Sequence, residues 1–287
     1  MINCIFTVKK PKIGIMQGRL SIPHNDKIQS FPAFSWKQEF EKAVKCGFEV
    51  IEWIFDEYKP NPILSSDGIS EINSLCKKHN IVINAICADY FMVEKLFHES
   101  HDNLEKNIKT LKELILQSKK LEISFIEIPL VDYSSLKTTN DKIELRNNLE
   151  KVILLAEKND VTLVLETDLP PLDFKQLLSE LNHPNIMANY DSGNSTSLGY
   201  NSKEELTILR KWIKNIHVKD RKLHGGTVPL SSGDTDFDLF FSTLSEIQYS
   251  GDLIIQGARS LDTNVAPETT CQTYQKFVKE YVDKYYI

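Results

Sequence analysis

Nowhere does this chain carry the ~18 consecutive apolar residues needed to cross a bilayer, so no membrane-spanning helix is expected. Its five cysteines, Cys4, Cys46, Cys76, Cys87 and Cys271, form no CxxC pair. Odd in number and widely spaced, they read as reduced thiols rather than a disulfide framework. The opening MINCIFTVKK has too short an apolar stretch for a secretion signal and no small-residue cleavage site. A GxGxxG turn is missing after the first apolar run, so the usual mark of a dinucleotide-binding open sheet is absent. Basic excess is missing too: 34 Lys and Arg face 40 Asp and Glu, giving a net charge of -6. Nucleic acid is therefore a poor partner. A small anionic substrate needs only two or three local cations and stays open. A cytoplasmic protein is expected.

What the chain does contain is alternation. Eight short runs dense in Ile and Val stand at 13–16, 49–55, 81–87, 124–130, 161–166, 186–191, 213–218 and 252–256. That composition suits strands buried on both faces. Helical spacing follows the runs, as in Trp36, Phe40, Ala43, Val44 and in Leu104, Ile108, Leu111, Ile115. Further helices are expected near 144–158, 203–212, 237–247 and 267–284, with Asp67, Asn140, Asp173 and Ser202 as candidate N-caps. Eight strand–helix units without a composition break predict one domain over 1–287, a single (β/α)8 TIM barrel. Its first strand begins near 13, after an N-terminal extension over 1–10. The doubly wound open sheet is the competing arrangement. The longest loops, 22–35 and 221–237, follow strands and would lie on the active-site face.

Barrel enzymes place their chemistry where strands end. The first run closes on Gln17 and Arg19, the second carries Glu52, and the third leads to Asp89. The last four are closed by Glu166, Asp191, His217 and Gln256. Adjacent strand tips share one bowl, so these four could form a mixed nitrogen–oxygen site for Mn, Mg, Co or Zn. No cysteine is among them, which disfavours a structural zinc. A lone strand histidine is more often a packed core residue, but an unpartnered Glu166 after VTLVL would be costly to bury.

The segments GIMQGRLS, GFEVIEW, ICADYF, LETD, NYDSGNSTSLGY, HVKDR and GGTVPLSSGDTDF resemble the xylose-isomerase-like TIM-barrel superfamily, in particular its sugar and sugar-phosphate isomerases and epimerases. The resemblance spans nearly the whole chain. It implies one divalent metal held by Glu, Asp, His and Glu from the last four strands. Those positions fall on Glu166, Asp191, His217 and Gln256, and the fourth departs from the pattern. It also implies that the two glutamates move protons on opposite faces of the substrate.

An amide can coordinate a hard cation but cannot take up a proton at neutral pH. Gln256 thus shifts the expectation from epimerase toward an isomerase with Glu166 as base, using enediol or hydride-shift chemistry. Two alternatives are a sugar-derived dehydratase and a catalytically weakened sugar-binding relative. An apurinic endonuclease, a member of the same superfamily, is more remote, since Asn194 stands in the strand-6 loop and GDTD holds no histidine. Arg19, Glu52, Asp89, Asn194, Lys219, Arg221 and Arg259 are the candidate substrate contacts, with Lys222 and the N–H groups of Gly225, Gly226 and Gly233 as further anion donors. Asp220 is read first as holding its loop, with help in proton transfer as the alternative. Trp53 is a candidate sugar platform, with a core position the blander reading. The expected partner is a small sugar or sugar phosphate, and a homodimer or homotetramer is allowed.

Overall fold

The computed structural model describes residues 9–23, 29–262 and 264–286. Most of the N-terminal extension lies outside them. Strands β1 (Ile13–Met16), β2 (Val50–Ile54), β3 (Ala85–Cys87), β4 (Phe125–Leu130), β5 (Thr162–Thr167), β6 (Ile186–Asp191) and β7 (Ile213–Val218) build the sheet. The two-residue strands β8 (Asp220–Arg221) and β9 (Thr227–Val228) pair as a small antiparallel ribbon, and β10 (Leu253–Ile255) returns to the barrel. The order β1-β10-β7-β6-β5-β4-β3-β2 closes on itself, every neighbour parallel. Closure rests on β1, which pairs with β2 through Ile15↔Ile51 and with β10 through Ile15↔Ile255. The open-sheet alternative is thereby excluded.

The helices are α1 (Trp36–Lys45), α2 (Ser66–His79), α3 (Tyr90–Val93), α4 (His101–Lys120), α5 (Thr139–Lys158), α6 (Pro171–Leu181), α7 (Ser192–Leu198), α8 (Ser202–Leu209), α9 (Phe237–Glu246) and α10 (Pro267–Tyr285). Their apolar faces pack on the outside of the barrel. In α1, Trp36, Phe40 and Ala43 are buried, but Val44, placed on the same stripe by spacing, is 46% exposed. Each wholly buried side chain of this size, such as Phe40 or Leu111, contributes about 1.5–3 kcal/mol. The four expected N-caps are displaced. Ser65, Thr138, Pro170 and Asn201 occupy those positions, one to three residues earlier. The hydroxyls and amide accept from backbone N–H groups, as in the Thr138–Asp141 capping box; Pro170 offers no side-chain acceptor. The third run is strand for three residues only, with Val82 joined to Val50 by an isolated bridge.

Side chains alternate along each strand, so every second one points into the barrel. Ala85, Phe125, Val164 and Met187 form a small separate apolar cluster near the strand starts. Two residues further along, the inward positions turn polar: Cys87, Glu127, Glu166 and Asn189. That layer is the floor of the bowl. Trp53 is fully buried outside it, edge-on to Trp36, with its Nε1 donating to Asn61 Oδ1 at 3.0 Å. It is a core residue, not a sugar platform.

Candidate active site

The β6–β7 register pairs Asp191 with His217, and β5 runs alongside with Glu166 at its tip. One donor atom from each of the three lies within 4.8 Å of the others, and all three residues are buried. His217 Nδ1 is 3.2 Å from Glu166 Oε2 and 4.0 Å from Asp191 Oδ2. Its other nitrogen, Nε2, is 2.9 Å from Glu52 Oε2. Burial opposes charge on the ring, but the flanking Glu52 and Glu166 carboxylates outweigh it and hold the His217 pKa well above its ordinary value.

Glu166 is held by amides. Asn194 Nδ2 donates to Oε1 at 2.7 Å, and Asn189 Nδ2 donates to Oε2. Burial would raise its pKa, yet the bonds from His217 and Asn189 and the charge of Lys219 leave it lowered, so it is ionised and ready to accept a proton. Asp191 caps α7, its Oδ1 accepting from Asn194 N at 2.7 Å. Desolvation there wins over Lys219, and its pKa is raised.

Gln256, just past β10, is turned to Lys219: its Oε1 accepts from Nζ at 2.9 Å. The same ammonium reaches Asp191 Oδ2 and Asn194 Oδ1, each at 3.3 Å. Lys219 thus bridges two of the four strand-tip positions. Its stem passes over Gly193 in α7, where an added Cβ would stand 2.8 Å from Lys219 Cγ.

Other polar residues named from the sequence sit as follows. Glu52 lies beneath His217, fully buried, also accepting from Asn215 Nδ2 at 3.1 Å. Gln17 Oε1 accepts from Ile54 N in the β1–β2 seam. Arg259 clamps the loop after β1, donating to the carbonyls of Ser21 at 2.7 Å and Gly18 at 2.8 Å. Arg221 is tied to Asn194 Oδ1 and to Gly225 O, and Lys222 pairs with Asp234 on the surface. Of the candidate glycine donors, Gly225 N and Gly233 N are already used, by Lys222 O and Asp220 Oδ2. Asp220, accepting also from Thr235 N, closes its loop as expected. Arg19 and Asp89 do face one another across Gln29, whose Oε1 accepts from Arg19 at 3.0 Å and from Gln256 at 3.0 Å and whose Nε2 donates to Asp89 at 2.6 Å.

Gln29, Asn189, Asn215 and Glu127 were not singled out by sequence. For the last three a signal existed. Asn189 and Asn215 stand two residues before Asp191 and His217, on the same inward face, and Glu127 is a charge within an apolar strand. Gln29 carries no such mark.

Two buried carboxylates and an imidazole nitrogen, with an ammonium drawn to one of the carboxylates, fit a divalent cation of the hard-to-borderline class. The fold and this cluster together define a (β/α)8 barrel with a buried carboxylate–imidazole bowl, a candidate cation site, at its C-terminal face. The sequence profile described as xylose isomerase-like TIM barrel matches residues 40–279, and the chain belongs to that family. A Haemophilus influenzae protein provisionally named L-ribulose-5-phosphate 3-epimerase is 26% identical over 272 residues, 87% of this chain and 89% of its own. The L-ribulose-5-phosphate 3-epimerase of Escherichia coli K12 is 23% identical over 238 residues, covering 77% and 81%. Among solved structures, D-psicose 3-epimerase from Clostridium cellulolyticum H10, crystallised with D-tagatose, superposes with a TM-score of 0.75 at 15% identity, over 94% of this chain and 99% of that one.

Proposed function

We propose that this chain is a divalent-metal-dependent isomerase of a small sugar or sugar phosphate, with Glu166 as the proton-transferring base. The observation that carries the reading is the convergence of Glu166, Asp191 and His217 within 4.8 Å. Those three residues would hold the ion, with Gln256 as a fourth oxygen donor once Lys219 yields it. A bound divalent ion would polarise a substrate carbonyl and lower the cost of enolisation.

The remaining work belongs to the chain. Asn194 and Asn189 fix the Glu166 carboxylate, so it meets the substrate in one orientation. Burial in the bowl keeps bulk water away from the reactive enediol. Glu52 holds His217 from behind and sets which ring nitrogen faces the bowl. Arg19 and Lys219 are the cations available to an anionic substituent, the first through the Gln29 bridge and the second beside Gln256.

Glu166 can remove a proton from one carbon and return it to its neighbour on the same face, which is a 1,2 aldose–ketose isomerisation. Inversion at C3 needs a second group on the opposite face, and Gln256 cannot serve. A second reading, 3-epimerisation, is favoured by the curated relatives, which carry that activity in their names. A cytoplasmic location and a homo-oligomer accompany both. Among the described residues no helix is long and apolar enough to cross a membrane.

One experiment separates the readings. Metal-loaded protein is incubated in D2O with ketopentoses, ketohexoses and their phosphates, L-ribulose 5-phosphate included. Aldose formation with one deuterium supports the one-base isomerase. Inversion at C3 with deuterium incorporation replaces it by the epimerase. Turnover undiminished after exhaustive chelation would sink the metal dependence.

A further inference from the structure

A second cluster of ligating side chains lies inside the barrel, on the strands that the triad does not use. The β3–β4 register sets Cys87 beside Glu127, and Asp89 stands two residues past Cys87, at the start of α3. One donor atom from each lies within 4.8 Å of the others. Cys87 Sγ is 3.2 Å from Asp89 Oδ1. A tetrahedral zinc with ligand bonds of about 2.0–2.3 Å separates its donors by about 3.3–3.8 Å, so the cluster needs little contraction to close on an ion.

Glu127 is the residue that lacks an account. It is wholly buried, and neither carboxylate oxygen has a hydrogen-bond partner. An orphaned buried carboxyl group is costly in either protonation state. The Cys87 thiol, near enough to influence the Glu127 proton, already donates to Asp89. Gln29 Nε2 points a partial positive charge at the same place, 2.6 Å from Asp89 Oδ2 and 3.7 Å from Cys87 Sγ. Neither His217 nor Lys219, the cations of the triad, makes a hydrogen bond or ion pair to any of the three.

We propose that Cys87, Asp89 and Glu127 form a second cation site, separate from the Glu166–Asp191–His217 triad, that takes a borderline divalent ion of the zinc type through one thiolate and two carboxylates. Thiolate and carboxylate together favour zinc or cobalt over magnesium or calcium. The ion would satisfy both orphaned oxygens of Glu127 at once. It would also place positive charge beside Glu166, whose own charge now weighs on Glu127.

The test is a Co2+ titration of the full-length protein followed by absorption, since a thiolate ligand gives a sulfur-to-cobalt charge-transfer band in the near ultraviolet and the triad contains no sulfur. Wild type should bind two equivalents, one of which brings the band. Cys87→Ser should lose the band and keep the other equivalent. Glu127→Gln, which preserves shape, should weaken the band-forming equivalent at least tenfold. Asp191→Asn should keep the band while losing the equivalent without it, which also separates failure of this site from failure of the triad. No band at saturating Co2+, a band that survives in Cys87→Ser, or a band lost in Asp191→Asn would each overturn the proposal.

Discussion

His217 Nε2 lies 2.9 Å from Glu52 Oε2, on the ring nitrogen opposite the one that faces Glu166 and Asp191. Such a pair fixes the tautomer and strengthens the imidazole as a ligand. Glu52→Gln should therefore weaken divalent-metal affinity by roughly 10–100-fold while the barrel stays folded. Isothermal titration with Mn2+ and Zn2+ measures it. An affinity unchanged from wild type would show that Glu52 serves packing alone.

Lys219 competes for the same oxygens. Its Nζ sits on Asp191 Oδ2 and Gln256 Oε1, both of which an ion would use. Lys219→Met keeps most of the stem and removes the charge. Metal affinity should rise roughly tenfold, or ~1.4 kcal/mol. A weaker affinity in the same titration would mean that the ammonium assists the site instead.

Gln256→Glu puts an ionisable group at the tip of the last barrel strand, within reach of Lys219. The variant should gain inversion at C3 with deuterium incorporation, read by NMR in D2O, and bind metal more tightly. Identical exchange patterns in variant and wild type would remove Gln256 from the proton-transfer account.

Glu39, which accepts from Gly18 N just after β1, supplies a pH dependence of its own. It is 1% exposed, and desolvation, outweighing the bond from Gly18 N, raises its pKa from 4.5 to about 7. The folded protein therefore binds this proton more tightly than the unfolded chain. The contribution is complete below pH about 4.5 and is lost as pH rises through about 7. The full loss is on the order of 3 kcal/mol. Urea unfolding at pH 5 and pH 8 should show wild type losing more stability than Glu39→Gln across that interval. Parallel losses would refute the assignment.

The barrel was legible because its signal is repeated. Each strand is a short β-branched run, and three of them, at 13–16, 186–191 and 213–218, match the structure to the residue. The triad was legible for the same reason, since a polar residue closing an apolar strand is costly without a purpose. Caps were displaced because Ser65 and Thr138 compete with equally plausible neighbours, and propensity does not say which residue turns first. The short helix α7 was missed because SGNSTSL is poor in helix formers; Asp191, Gly199 and the β6 junction impose it. What sequence could not give was direction. Arg221, Arg259 and Glu52 are near the strand tips, yet their partners turn them toward loops or the barrel floor.

Gly193 gives the bowl a sensitivity that no charged residue announces. A single methyl there would strike the lysine stem at its γ-carbon and crowd Arg221 Cγ at 3.1 Å. The ammonium would be levered away with every charge in the protein still present. Which cation balances Asp191, a tethered one or a free one, thus hangs on a single hydrogen atom in α7.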